Sequence, residues 1–88
     1  MNPLVAATVT ILVSISSTIS LACEDGHWIR QVSDGGAVVI LEDGSTWLID
    51  EFDRIDTALW LPITDITVCG GQLINTDDGE MARARRIR

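Results

Sequence analysis

The side chains with chemistry to offer are mostly acidic. Asp50, Glu51, Asp53 and Asp56 crowd one stretch, and Asp77, Asp78 and Glu80 surround Gly79 in another. Clustered carboxylates can hold calcium, but an EF-hand loop spaces its acids at alternate positions about a central glycine, and neither stretch does so. Paired carboxylates can also run glycoside chemistry, which needs a cleft and one raised pKa that a sequence does not display. As turn residues, both clusters have a complete structural explanation.

The single histidine, His27, stands beside Trp28 and reads as a partly exposed residue at a strand end rather than a general base. No serine lies in a Gly-x-Ser-x-Gly setting, and neither Gly35-Gly36 nor Gly70-Gly71 forms a phosphate cradle. Two cysteines and one histidine without clustered spacing do not make a four-ligand zinc site. Cys69 as a nucleophile needs a free thiol, which the export argument below disfavours. The expectation is a non-enzymatic protein, with no catalytic, cofactor or metal-binding residue singled out.

Binding is the remaining class. Trp28, Trp47 and Trp60 supply most of the aromatic area. Trp47 reads as core, while Trp28 and Trp60 are candidate partner anchors, with burial in a small core as the simpler reading of each. Arg83, Arg85 and Arg86, together with Arg88, give the last stretch a local positive charge. They read either as a solvated strand end that offsets nearby acids or as a contact for an anionic surface.

Compartment follows from the first residues. No charged side chain occurs before Glu24, and an apolar run ends in Ser20-Leu21-Ala22, a small-x-small pattern of the kind signal peptidase cleaves. Residues 1–22 are therefore expected to be a signal peptide, and the protein to be periplasmic or extracellular. The alternatives are an uncleaved membrane anchor and a lipoprotein acylated at Cys23 with a structural role in the envelope. The first is weakened by the serines and threonines that interrupt the run, the second by Ser20 standing where a leucine is usual. With cleavage, contact with the membrane is transient. In an oxidising compartment Cys23 and Cys69 read as one disulfide.

About 66 residues remain after Ala22, near the size at which one hydrophobic core is marginal. With 13 acidic against 6 basic residues, the net charge is −7, there is no lysine, and four of the arginines sit at the end. So acidic a body argues against nucleic acid, which requires cations facing phosphates. It favours a basic protein partner, steered by charge.

The elements that must position these residues are short strands. Residues 27–33 form the first, followed by the turn Asp34-Gly35-Gly36, for which either Ile29 beside Ile40 or Val32 beside Val38 is open. Ala37 to Asp50 reads as a hairpin about Asp43-Gly44. A two-residue loop there pairs Glu42 with Ser45, Ile40 with Trp47 and Val38 with Ile49. Both faces of that ribbon are largely apolar and need cover. Phe52, Ile55, Ala58 and Leu59 then fall at helical spacing, and predict one to two turns of α or 3₁₀ helix laid over the barrel's open side, with Trp60 as a plug and Pro62 as the stop. Residues 63–69 make another strand. Residues 72–76 and 80–87 make a last hairpin, with Ile74 facing Met81 across a four-residue loop. Five or six short antiparallel strands with one helical turn predict a mainly all-β domain over 23–88, an SH3-like barrel first and an OB-like barrel second.

The run Leu41-Glu42-Asp43-Gly44-Ser45-Thr46-Trp47 is joined by Asp53, Ala58-Leu59-Trp60-Leu61-Pro62, Leu73-Ile74-Asn75 and Asp78-Gly79-Glu80. Together they resemble a pattern found in small exported bacterial proteins of unknown function. The resemblance implies a bacterial, secreted β-domain and carries no activity, cofactor or catalytic residue. The cysteine pair is not part of that pattern.

Overall fold

A computed structural model describes residues 22–88, so the expected signal peptide lies outside the described residues apart from Ala22. The strands are β1 (Cys23–Ser33), β2 (Val38–Leu41), β3 (Thr46–Ile49), β4 (Asp65–Cys69), β5 (Gln72–Asn75) and β6 (Glu80–Arg86). One helix, α1 (Arg54–Thr57), follows a 3₁₀ turn at Glu51–Asp53. All neighbouring strands are antiparallel, and they close in the order β1-β2-β3-β6-β5-β4. This is the small antiparallel barrel with one short helix that strand count and turn spacing predict.

Closure depends on β1 and β6, each long enough to serve two sheets. The first part of β1 pairs with β4 and its end with β2, with register shifts between Glu24 and His27 and between Ile29 and Gln31. Likewise β6 pairs first with β5 and then with β3. Such irregularities bend a strand and turn the corner of a barrel, which leaves no open sheet edge among the described residues.

Inside lie Ile29, Val39, Leu41, Trp47, Ile49, Trp60, Ile66, Leu73 and Ala82, with Val32, Val68 and Ala84 packed against them. Each fully buried aliphatic side chain contributes about 1.5–3 kcal/mol. A disulfide joins Cys23 to Cys69, paired residues at the open ends of β1 and β4. It fits an oxidising compartment.

Three local expectations are corrected. The central hairpin pairs Val38 with Leu48, Val39 with Trp47 and Ile40 with Thr46. Its loop takes three residues rather than two. Leu41 N–H donates to Ser45 O at 3.0 Å, Gly44 sits at φ 86°, and Asp43 Oδ1 accepts the Ser45 N–H. A left-handed glycine ending a three-residue loop competes with the two-residue turn for the same Asp-Gly dipeptide. The one-residue slip brings Val39, Leu41, Trp47 and Ile49 inside together and leaves Val38, Ile40, Thr46 and Leu48 half-buried outside. The turn after β1 spans Asp34 to Ala37 and pairs Ser33 with Val38 and Val32 with Val39, so neither register left open above forms. The third is the helix, whose apolar residues Phe52, Ile55 and Leu59 lie in solvent rather than over the barrel. The last hairpin does pair Ile74 with Met81 across a four-residue loop, where Asn75 Oδ1 accepts the Asp77 N–H.

Candidate functional site

The segment from Asp50 to Thr64 crosses from β3 to β4. Asp50 opens it by accepting the Phe52 N–H at 2.9 Å, a cap suited to its carboxylate. Asp53 turns back to β6, where its Oδ2 accepts the Arg83 backbone N–H at 2.9 Å and the guanidinium Nε at 3.3 Å. Those two donors hold Asp53 below the usual carboxylate range. Asp50 lies 3.7 Å from Arg83 Nη2. Asp50 and Asp53 thus serve the turn, and Arg83 is their counter-ion.

What faces the barrel from α1 is its backbone and Thr57. The Thr57 hydroxyl, fully buried, donates to Gly36 O at 2.6 Å. Gly36, at φ 92°, has room for no side chain, because a Cβ there would meet Arg54 O, Ala58 N and Thr57 Oγ1. This close approach sets the helix's rotation and turns the expected apolar face away. Phe52, Ile55 and Leu59 are 81, 79 and 78 % exposed, where the spacing predicted a face laid on the barrel. Ala58 is exposed as well.

The chain then dips. Trp60 enters the core, 4 % exposed, and its indole N–H donates to Glu80 Oε1 at 2.8 Å. Leu61 and Ile63 come back out to solvent. Ile63 adopts φ 72°, a conformation that β-branched residues avoid, and its N–H donates to Ile29 O at 2.6 Å. Leu59 and Leu61 line a groove of about 310 Å³ with Trp60, Thr64, Asn75, Asp77, Asp78 and Glu80. Its buried lining residues are Trp60 and Asn75, the leucines are exposed beside them, and among the described residues its charged lining is wholly acidic.

The structure scatters the residues selected from sequence. Trp60 is buried although it lines the groove, while Trp28 is 41 % exposed on β1, paired with Asp65 of β4. Arg83 and Arg85 line a second groove of about 400 Å³ with Arg54, Asp50 and Glu51, where Arg83 already faces Asp50 and Asp53. Arg86 is exposed, and its Nε donates to Arg88 O. Cys23 and Cys69 are brought together. Phe52, Ile55, Leu59, Leu61 and Ile63 were not singled out as surface. Their apolar spacing carried the wrong sign, because it reports a shared face without saying which way that face looks.

His27 is half-buried at the mouth of the central hairpin, held by Glu42 at 2.9 Å and Glu24 at 3.2 Å. Burial alone would lower its pKa, but hydrogen bonds to the two glutamates outweigh that and raise it above the ordinary histidine value. Among known protein families, curated proteins and solved structures, none matches the chain.

Proposed function

We propose that the protein is an exported, non-enzymatic binding module that docks a basic protein partner of the bacterial envelope. The observation that carries this reading is the run of exposed apolar side chains in one segment, Phe52, Ile55, Leu59, Leu61 and Ile63. Exposed apolar side chains gathered in one place, unlike scattered ones, mark interaction sites. A connection that only bridged two strands has no use for five of them, nor for an isoleucine in a left-handed conformation. Backbone strain of that kind, about 1–3 kcal/mol, persists where function holds it.

Charge selects the partner. Asp77, Asp78 and Glu80 line the same groove as the exposed Leu59 and Leu61, and Asp56 lies between Ile55 and Leu59 in sequence. An apolar side chain flanked by Lys or Arg fits this pattern, and complementary fields raise the association rate more than they raise affinity. Export to the periplasm or the exterior rests on the sequence signals together with the disulfide. Use of the Cys23 sulfur in that bond favours an unmodified N-terminus over lipid attachment at Cys23.

Capture from envelope extract by the wild-type protein and by an Ile55→Ser/Leu59→Ser variant tests the reading. A basic protein retained by the wild type, released by added salt and lost from the variant is the expected result. Capture indifferent to both the variant and several hundred millimolar salt, or no capture, overturns it.

A further inference from the structure

A separate cluster, between β1 and the loop of the central hairpin, gathers metal-ligating groups. We propose that His27, Glu42 and Asp43 form a binding site for a divalent transition cation of the Zn²⁺ class. The ligand atoms these three offer lie within 4.8 Å of one another. His27 Nδ1 is 2.9 Å from Glu42 Oε2 and 4.0 Å from Asp43 Oδ2. Tetrahedral zinc, with bonds of about 2.0–2.2 Å, keeps its ligand atoms about 3.3–3.5 Å apart, so small adjustments of both carboxylates bring three of the four ligand positions into place.

What separates this constellation from an ordinary surface ion pair is that each ligand is anchored through its other atom. Glu42 Oε1 accepts the Trp28 backbone N–H at 2.9 Å while lying 3.2 Å from Nδ1, and Oε2 is the oxygen nearer the imidazole. Asp43 Oδ1 accepts both the N–H and the hydroxyl of Ser45, at 2.9 and 2.6 Å, which leaves Oδ2. Ser45 is itself buried, and its Oγ accepts the indole N–H of core Trp47 at 3.0 Å, so Asp43 is fixed from inside the barrel. His27 Nε2 faces Glu24 Oε1 at 3.2 Å. A carboxylate behind a ligating imidazole sets the tautomer and raises its basicity, and such outer partners are worth ten- to hundredfold in metal affinity.

The donor chemistry selects the class of ion. One imidazole nitrogen with two carboxylate oxygens suits zinc and its neighbours, whereas calcium takes six to eight oxygens and magnesium keeps most of its water. On binding, the proton on Nδ1 leaves to solvent and the nitrogen lone pair goes to the metal, while the Nε2 proton stays on the ring, donated toward Glu24 Oε1. Three carboxylates around one imidazole also leave a local negative excess that a divalent cation offsets. The exposed side of Asp43 leaves room for a water at the remaining position.

Calorimetric titration of the chelator-stripped protein with Zn²⁺ tests the site, with Ca²⁺ as the comparison ion. One Zn²⁺ per chain is expected, with uptake lost in His27→Gln and in Glu42→Gln. The Glu24→Gln variant, altered at an exposed position outside the core, is expected to bind ten- to hundredfold more weakly with an unchanged circular dichroism spectrum. An Asp77→Asn/Asp78→Asn variant is expected to bind as the wild type does. Absence of saturable Zn²⁺ uptake overturns the proposal, as does equal uptake of Ca²⁺. Unchanged affinity in Glu24→Gln, or loss of binding in the Asp77/Asp78 variant, overturns it as well.

Discussion

Gly36 is where the apolar segment is fastened to the barrel, and two neighbouring glycines make the fastening measurable. Gly35 and Gly36 both hold positive φ, 65° and 92°. A Cβ on Gly35 meets nothing within 4 Å, whereas one on Gly36 would lie 2.6 Å from Ala58 N, 2.8 Å from Thr57 Oγ1 and closer still to Arg54 O. Gly35→Ala therefore exacts only the left-handed backbone cost, about 1–2 kcal/mol. Gly36→Ala adds overpacking against helix backbone, about 1–3 kcal/mol, and loosens the Thr57 hydrogen bond to Gly36 O, about 1 kcal/mol. The second variant should lose about 3–6 kcal/mol, most of what a domain of this size has. By thermal unfolding, at about 4–8 °C per kcal/mol for a small domain, Gly35→Ala should melt roughly 4–16 °C lower and Gly36→Ala at least about 12 °C lower or not fold at all. Equal depressions in the two variants refute the claim that backbone proximity, rather than glycine's own conformational freedom, orients α1.

Three further outcomes follow from the same structure. Reduction of the Cys23–Cys69 bond, which spans 46 residues, should remove about 4 kcal/mol and lower the melting temperature by more than about 15 °C; a Cys23→Ser/Cys69→Ser variant as stable as the wild type would refute this. Asp53 has a folded pKa below its unfolded one, so its contribution is present above the unfolded value near 3.8 and fades as pH falls through the folded value. The acid-unfolding profile of Asp53→Asn should therefore be flatter than the wild type's below pH 4 or so, and parallel profiles refute the Asp53–Arg83 contact as its source. Ile63→Asn puts a residue tolerant of left-handed backbone at an exposed site and should stabilise by about 0.5–1 kcal/mol in denaturant titration, while partner capture falls.

The general outline was legible because it rests on local signals. Alternating apolar residues between glycine and aspartate turns specify short antiparallel strands whatever lies beyond them, and Ile74 facing Met81 follows from loop length alone. The central hairpin shows the limit of such reasoning. Asp43-Gly44 fits two loops of different length, and the choice depends on how Asp43 and Ser45 bond to each other and to the buried Trp47 indole. With the longer loop, Glu42 and Asp43 come to His27, fifteen and sixteen residues earlier in the chain. No spacing rule connects residues that far apart, so the cluster was invisible until β1 and β2 were side by side.

The sequence by itself determined a small, acidic, mainly β domain with a cysteine pair able to close it, because composition, turn chemistry and strand periodicity act over a few residues. Only the tertiary structure decided which way the Phe52–Leu59 face looks and which side chains surround His27. Both outcomes are set by contacts between distant segments: helix backbone resting on Gly36, and a bent β1 delivering His27 to the mouth of the hairpin. A periodic pattern fixes which residues share a face, whereas what that face meets depends on where the rest of the chain has come to lie.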